Sequence, residues 1–436
     1  MNATQTVSSN TRWRILALLM AFTGLTHFNR ISMSVAGTEH LMDEFGIEET
    51  TMGWVYSAYL IVYTCLMTPG GWLIDRIGPK RTLLLLAAGS ALLVPLTGAT
   101  ALIPPTLVLT WLIVIRGLLG AINVPLHPGT ARAASFWMAA RERGMANGLL
   151  TGAAVAGIAA TYFVFGSLMD ALSWPWAFVT AGVVTLMLAL VWAWYGSDRP
   201  ETHPAVSTAE LAWIEQGRVA RPVDAESSEA SHLSWADFWG LLKNRSLLLL
   251  TISYATVSYF QYLFFYWMQY YFDKVLKLGT TDGRLYATIP LVAMALGMAA
   301  GGWLADHATA RFPNWFGRSL VPALGMIGSA LFLLAGIFFG PPWWVVTCFA
   351  LAMGALGASE SPFWVAGVEL GGRRGGLSAA ILNTVGNAGG LVAPIVTPLF
   401  SERFGWQWGL AVASVLCLLG AVLWPWIDPE RDRFQG

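Results

Sequence analysis

The sequence predicts an all-α polytopic membrane protein, with twelve transmembrane helices in two pseudo-symmetric six-helix bundles. Three observations carry that expectation. Of 436 residues, 56% are hydrophobic and 11% charged, against roughly 25% charged usage in an ordinary soluble domain. Twelve apolar stretches reach the length of about 20 residues needed to cross roughly 30 Å of hydrocarbon. They fall into two blocks of six on either side of a polar segment, and short motifs of one block recur in the other.

In chain order, spans 1 to 6 are expected over 13–37, 51–75, 81–102, 105–136, 143–169 and 175–196. Spans 7 to 12 are expected over 246–272, 284–306, 318–340, 342–370, 375–400 and 406–427. The chain is thus read as an N-terminal bundle over 1–197, a cytoplasmic central loop over 198–245 and a C-terminal bundle over 246–436. Before span 1, Arg12 and Arg14 lead directly into a full-length apolar run, unlike the layout of a cleaved signal peptide. Within the loop, Ser207-Thr208-Ala209-Glu210 ahead of Leu211, Trp213 and Ile214 reads as a capping box opening a short surface helix. Cys65, Cys348 and Cys417 each sit in an apolar run and read as small core residues, not as a disulfide or metal set.

Basic residues set the orientation. With the N-terminus inside, the inner loops carry Arg76, Lys80, Arg81, Arg132, Arg141, Arg143, Arg311, Arg318, Arg373 and Arg374. The opposite loops carry only Lys274, Lys277, Arg284 and Arg403. Both termini and the central loop are therefore expected in the cytoplasm, with the chain in the inner membrane.

The repeat ties spans 2 and 4 to spans 8 and 10. Gly70-Gly71-Trp72-Leu73-Ile74-Asp75 recurs as Gly301-Gly302-Trp303-Leu304-Ala305-Asp306, and the run from Gly117 to Pro125 recurs from Gly354 to Pro362. A duplicated six-span unit, its halves related by an axis along the membrane normal, places a substrate near the midplane between them.

Charges inside a bilayer cost at least a few kcal/mol, so they are functional candidates by default. Arg30, Arg116 and Glu360 lie well within expected spans. A guanidinium suits a carboxylate ligand, because its planar donors pair both oxygens and it stays charged. Arg30 is also open to a structural reading, paired to a neighbouring carbonyl. Glu360 occupies the repeat position of Asn123, and reads either as a proton-coupling carboxylate or as a structural residue bonded to Tyr or Asn neighbours. His27, one turn before Arg30, is a competing proton site, or simply a hydrogen-bonded ring. Arg116 reads as a clamp on neighbouring helices or as part of the coupling network.

Asp75, Arg76, Arg132, Glu142 and Arg143 form an inner-face charge cluster expected to act in gating, although topology alone accounts for Arg76. Span 7 carries Tyr254, Tyr259, Phe260, Gln261, Tyr262, Phe264, Phe265, Tyr266 and Trp267, most expected in the core or against lipid. A cavity-facing minority, Gln261 and Tyr262 among them, together with Trp364 on span 10, favours a planar or apolar ligand body. Asn383 and Asn387 share one face of span 11, beside Gly386, Gly389 and Gly390, and read as ligand contacts or as inter-helix glue.

These residues resemble a known family. Gly71-Trp72-Leu73-Ile74-Asp75-Arg76-Ile77-Gly78-Pro79-Lys80-Arg81 resembles the loop signature of the major facilitator superfamily, and Arg116 with Gly120 its fourth-span Arg-x-x-x-Gly motif. Pro128, Arg132, Trp137 and Glu142-Arg143 fall at the spacing of F-P-x-x-x-R-x-x-x-x-W-F-P-x-x-E-R, which is similar to the anion:cation symporter family. Asp198 to Pro204, and Asn383 to Asn387 running on to Gly390 and Pro394, agree. The similarity runs over nearly the whole chain. It implies a carrier of sugar acids, phthalate-like aromatic acids or other organic anions.

The resemblance implies that Arg30 binds the substrate carboxylate and that Tyr63, six residues before Pro69, donates to it. Tyr63 is also open to a packing role at a helix interface. It further implies that Asn383 and Asn387 bond the distal end of the ligand. Departures count as well. Proton-coupled sugar-acid members carry an Asp where Asn29 stands and a Glu where Asn123 stands, and amides do not titrate. A family glutamine falls on Ala154, which tilts the expected ligand toward an organic or aromatic acid.

Other classes are weaker. The net charge is zero, so no nucleic-acid partner is indicated. The six histidines show no metal-ligand spacing, and no nucleophile elbow or phosphate loop is present, so neither enzyme, cofactor nor metal is expected. The expected partners are an organic anion, protons and the lipid bilayer, with the chain monomeric. The alternatives are an uncoupled facilitator, an anion exchanger, or a transporter-like sensor.

Overall fold

Every regular element in the computed structural model is helical among the described residues, 9–215, 235–312, 314–429 and 431–434. Each of the twelve expected segments contains a long helix. Ten, from Pro79–Leu102 to Trp406–Trp426, are long and apolar enough to cross a membrane. The other two, Thr11–Ala36 and Glu49–Ile77, are 26 and 29 residues long. In the first, Thr23, Thr26, His27, Asn29, Arg30, Ser32 and Ser34 are all buried, so protein covers its polar face. That polar content lowers its apolarity below that of the ten.

The chain divides into two compact units, Met1–Ser32 with Ile61–Ser228, and Met33–Leu60 with Glu229–Gly436. The boundary runs through the first two helices, so the segment joining them counts with the second unit.

In the first unit, Ile15, Leu19, Phe22, Leu83, Trp137 and Trp192 form a core. The two indoles keep acceptors there, Trp137 Nε1 donating to Ser197 O at 3.0 Å and Trp192 Nε1 to Lys80 O at 3.0 Å. Helix Thr11–Ala36 meets helix Arg143–Ala160 backbone to backbone. A Cβ on Gly157 would lie 2.1 Å from Gly24 O, so only glycine permits this approach.

The loop helix Thr208–Glu215 opens as its capping box predicts in one half only. Ser207 Oγ accepts from Glu210 N at 3.2 Å, but the Glu210 carboxylate accepts from Thr11 N at 3.1 Å and Arg12 N at 2.9 Å. Orphan amides of a long helix draw a buried anion more strongly than a single serine amide does. The expected surface helix is therefore packed, with Glu210 and Ile214 both 0% exposed.

In the second unit, Gly46 takes a left-handed conformation, φ +62°, and ends the short helix Met42–Phe45. Helix Gly375–Phe404 presses on Arg245–Tyr270, where a Cβ on Gly389 would lie 1.9 Å from Ala255 O. Near the C-terminal end of the chain, Asp432 accepts from Ser246 Oγ at 2.6 Å, and its bond from Arg431 holds its carboxyl below the usual carboxylate range. Cys348 and Cys417 are buried as expected, whereas Cys65 is exposed.

Candidate functional site

Two polar clusters are built, one in each unit. In the first, Pro125 lacks an amide proton, and span 4 breaks there. Helix Pro105–Asn123 ends and Leu126–Trp137 begins after Val124 and Pro125. The break sets Asn123 and His127 on its two sides, a feature associated with binding sites in membrane carriers.

The expected residues of this unit, His27, Asn29, Arg30, Tyr63, Arg116 and Asn123, are all buried. Arg30 is 7% exposed and Arg116 1%, and Arg116 Nη2 donates to Arg30 O at 2.9 Å, clamping spans 1 and 4 together. Asn29 Nδ2 donates to Thr185 Oγ1 at 2.9 Å, and Asn123 Oδ1 accepts from Ser90 Oγ at 2.9 Å. The other amide atom of each, Asn29 Oδ1 and Asn123 Nδ2, is buried with no hydrogen-bond partner among the described residues. A water or a polar ligand group can satisfy each of these atoms. Tyr63 is buried in the same unit. His27 Nδ1 lies 2.9 Å from Thr23 O, and its ring meets His127 edge to face at a centroid distance of 5.2 Å.

In the second unit, Glu360 is buried and accepts three bonds. Tyr254 Oη donates to Oε1 at 2.6 Å, Trp364 Nε1 to Oε1 at 3.2 Å and Gln261 Nε2 to Oε2 at 2.9 Å. Tyr262 Oη donates to Asn387 Oδ1 at 3.0 Å, and Asn387 Nδ2 donates to Asn383 O at 3.0 Å. Gln261 and Trp364 thus serve Glu360, while Tyr262 joins the span-11 amides. The nine span-7 residues from Tyr254 to Trp267 named above are all buried. None of them faces lipid as part of the set was expected to, because span 7 packs on several helices of its unit.

In the inner-face cluster, Glu142 finds partners outside the set the sequence singles out, Arg12 and Trp213. Glu142 pairs with Arg12 at 3.4 Å and accepts from Trp213 Nε1 at 3.1 Å, with Arg141 stacked over Trp213 at 3.8 Å. Arg143 Nε donates to Met138 O at 3.5 Å, Arg132 lies 5.7 Å from the Phe136 ring centre, and Arg76 is exposed. The Asp75 side chain lies outside the described residues.

Sequence reading missed a second buried ion pair. Arg284 grips Glu39 with two bonds, Nε to Oε1 at 2.8 Å and Nη2 to Oε2 at 2.6 Å, and Gln269 donates to Oε1 as well. The two side chains are 7% and 4% exposed, although Arg284 reads from sequence as a loop charge. Their separation of 245 residues left no local signal. His127 was missed too, although it stands four residues past Asn123 beside a helix-breaking proline. No group of three or more His, Cys, Asp or Glu suited to a metal occurs among the described residues.

A helical chain with ten helices long and apolar enough to cross a membrane defines an integral membrane protein. The model of the Major Facilitator Superfamily matches residues 16–381 and 316–436, and the chain belongs to that family. It is 27% identical over 420 residues to a probable galactarate/D-glucarate transporter of Bacillus subtilis, covering 94% of this chain and 92% of that one. It is 27% identical over 416 residues to a D-galactonate transporter of Escherichia coli, covering 94% of each. A probable sulfoacetate transporter of Cupriavidus necator is 26% identical over 421 residues, covering 96% and 94%. These relatives are named as transporters, and the chain is a transport protein, not an enzyme. Among solved structures, an inward-facing bacterial homologue of the human lysosomal transporter Spinster superposes with a TM-score of 0.77 at 14% identity, covering 98% and 99%. At that identity the likeness is one of fold.

Proposed function

We propose that the chain is a secondary active transporter of an organic carboxylate anion, spanning the inner membrane twelve times and working by alternating access with protons. Helices Thr11–Ala36 and Glu49–Ile77 are its first two spans. Residues 1–197 and 246–436 are its six-helix halves, with both termini and the 198–245 loop in the cytoplasm. The observation that carries this reading is the guanidinium of Arg30, nearly fully buried in an apolar bundle with Arg116 holding its backbone carbonyl. A guanidinium so placed is chemically suited to an organic acid, whose two carboxylate oxygens match its planar donors.

In this reading Arg30 and Tyr63 take the carboxylate, while Asn29 and Asn123 offer their remaining amide atoms to hydroxyls or a second acid group. Asn383 and Asn387 take the distal end of the ligand. Glu360 is the proposed proton carrier. Its partner Tyr254 can donate to a carboxylate or accept from a carboxylic acid, so the site tolerates both protonation states. The relatives favour sugar acids and sulfoacetate, whereas Ala154 and Trp364 favour a flatter acid.

Counterflow in proteoliposomes tests the reading, with labelled D-glucarate, D-galactonate, sulfoacetate and phthalate as probes. Exchange of at least one, lost in Arg30→Ala, is the expected result. Binding without exchange makes the protein a sensor, and neither binding nor exchange of any probe overturns the proposal. Glu360→Gln is expected to lose accumulation driven by a pH gradient while exchange persists. Unchanged accumulation removes Glu360 from coupling, and no proton-driven accumulation in the natural protein makes it a facilitator or an anion exchanger.

A further inference from the structure

We propose that the second unit carries a binding site for an anionic phospholipid, set between helices Thr280–Arg311, Asn314–Phe338 and Pro342–Leu370. It shares no residue with the polar clusters described above. The three helices press together pairwise through small residues. A Cβ on Gly301 would collide with Ala358 O, one on Gly317 with Ala308 O and one on Gly325 with Ala355 O. Between these points of contact lies a groove of about 450 Å³, walled by Leu304, Leu320, Leu324 and Ala358, with His307 and Arg311 also in its lining.

Two observations identify the occupant. The walls open outward, Leu304 being 43% exposed and Leu324 58%, on helices long and apolar enough to cross a membrane, so acyl chains are what they meet. Charge, in contrast, sits at one end of the groove. Arg311 is the last residue of its helix and is exposed, with no ion pair among the described residues. His307, one turn earlier, lies against Trp303 with ring centroids 4.1 Å apart and its Nδ1 2.8 Å from Trp303 O. A carbonyl only accepts, so Nδ1 carries the hydrogen and Nε2 is left for an outside donor or, once protonated, for an outside anion. Among the described residues no carboxylate lines the groove. Glu369 is taken up by Arg318 at 2.5 Å, and Asp306 is exposed outside the lining. At 1.5 Å per residue, Leu304 lies about 10 Å along its helix from Arg311, and Leu324 about 15 Å along its own from the start at Asn314. A basic mouth over apolar walls of that depth matches a phosphate headgroup with part of an acyl chain. A soluble anion has nothing to place against Leu304 and Leu324. Phosphatidylglycerol, with a negative phosphate and no amine, suits two basic side chains better than a zwitterionic lipid whose cation they repel.

Native mass spectrometry of the full chain purified in detergent tests the site, with phosphatidylglycerol and phosphatidylcholine of the same acyl chains added together. The natural protein is expected to retain phosphatidylglycerol in preference. Arg311→Gln should lower that preference about fivefold, the worth of one basic side chain at a membrane surface. Arg311→Gln combined with His307→Gln should abolish it. Arg403→Gln, at an exposed position in the last turn of helix Gly375–Phe404, should leave it unchanged. A preference that is absent, that survives in the double variant, or that Arg403→Gln lowers equally overturns the proposal. Excess inorganic phosphate should not displace the lipid, and displacement overturns the lipid as occupant. Should the variants not fold, phosphatidylglycerol with a photoreactive group in its acyl chain is expected to label the natural protein within residues 304–325. Labelling that avoids that segment overturns the site. Lipid retention needs no cargo, so its failure leaves the carrier reading standing, and a failure of anion exchange leaves the lipid site standing.

Discussion

Arg30 shows how far a single residue can be read. A charged side chain in an apolar run is visible in sequence, because no bilayer tolerates it without a reason. Its neighbours were not visible. Arg116 holds the Arg30 carbonyl, so the guanidinium is presented by a pinned stretch of helix. Arg30→Lys keeps the charge but loses the planar fork, and is expected to reduce anion exchange by about tenfold or more while leaving thermal unfolding near its natural value. Equal loss of stability and exchange would mean the residue is structural. At Glu360 the sequence left open whether the carboxylate has neighbours, and three donors from two helices answer that question. Tyr254→Phe removes the shortest of them and should cost about 1–3 kcal/mol, read as a lowered unfolding temperature in detergent.

At the scale of elements, helix ends and helix contacts decide what the charges do. Glu210, from the loop helix, accepts from the first amides of helix Thr11–Ala36. Glu210→Ala should therefore destabilise the protein by about 0.5–2 kcal/mol, as removal of a helix cap does. Differential scanning fluorimetry checks this, and an unchanged midpoint would mean that water caps the helix equally well. Glu39 and Arg284 join the segment after helix 1 to the start of span 8 through a buried, two-bond pair. Removing one partner strands the other, so Glu39→Gln is expected to cost about 3–5 kcal/mol, more than any exposed pair. Added salt should alter this stability little, because burial shields the pair from counterions. The helix positions themselves were legible from hydrophobic length. The break at Pro125 was legible only as a proline in an apolar run, since sequence does not say whether neighbours rescue such a helix.

For the whole molecule, ten helices apolar enough to cross a membrane and the family match along the chain make it a transporter of its superfamily. A transporter must bind its cargo in the folded state. A cognate organic acid at 100 times its Kd is therefore expected to add about 2.7 kcal/mol of stability, visible as a rise in unfolding temperature across a panel of acids. No shift with any acid, in a protein that unfolds cooperatively, would count against anion binding. The sequence by itself determined the membrane solvent, the helical class and the three charges placed deep in apolar runs. Those follow from composition and period, which every residue reports locally. Only the tertiary structure decided that Glu210 caps the first helix, that Glu39 meets Arg284 and that two histidines a hundred residues apart share an edge. Buried polar groups must find partners, and which partner each finds depends on distances across the fold that no local pattern encodes.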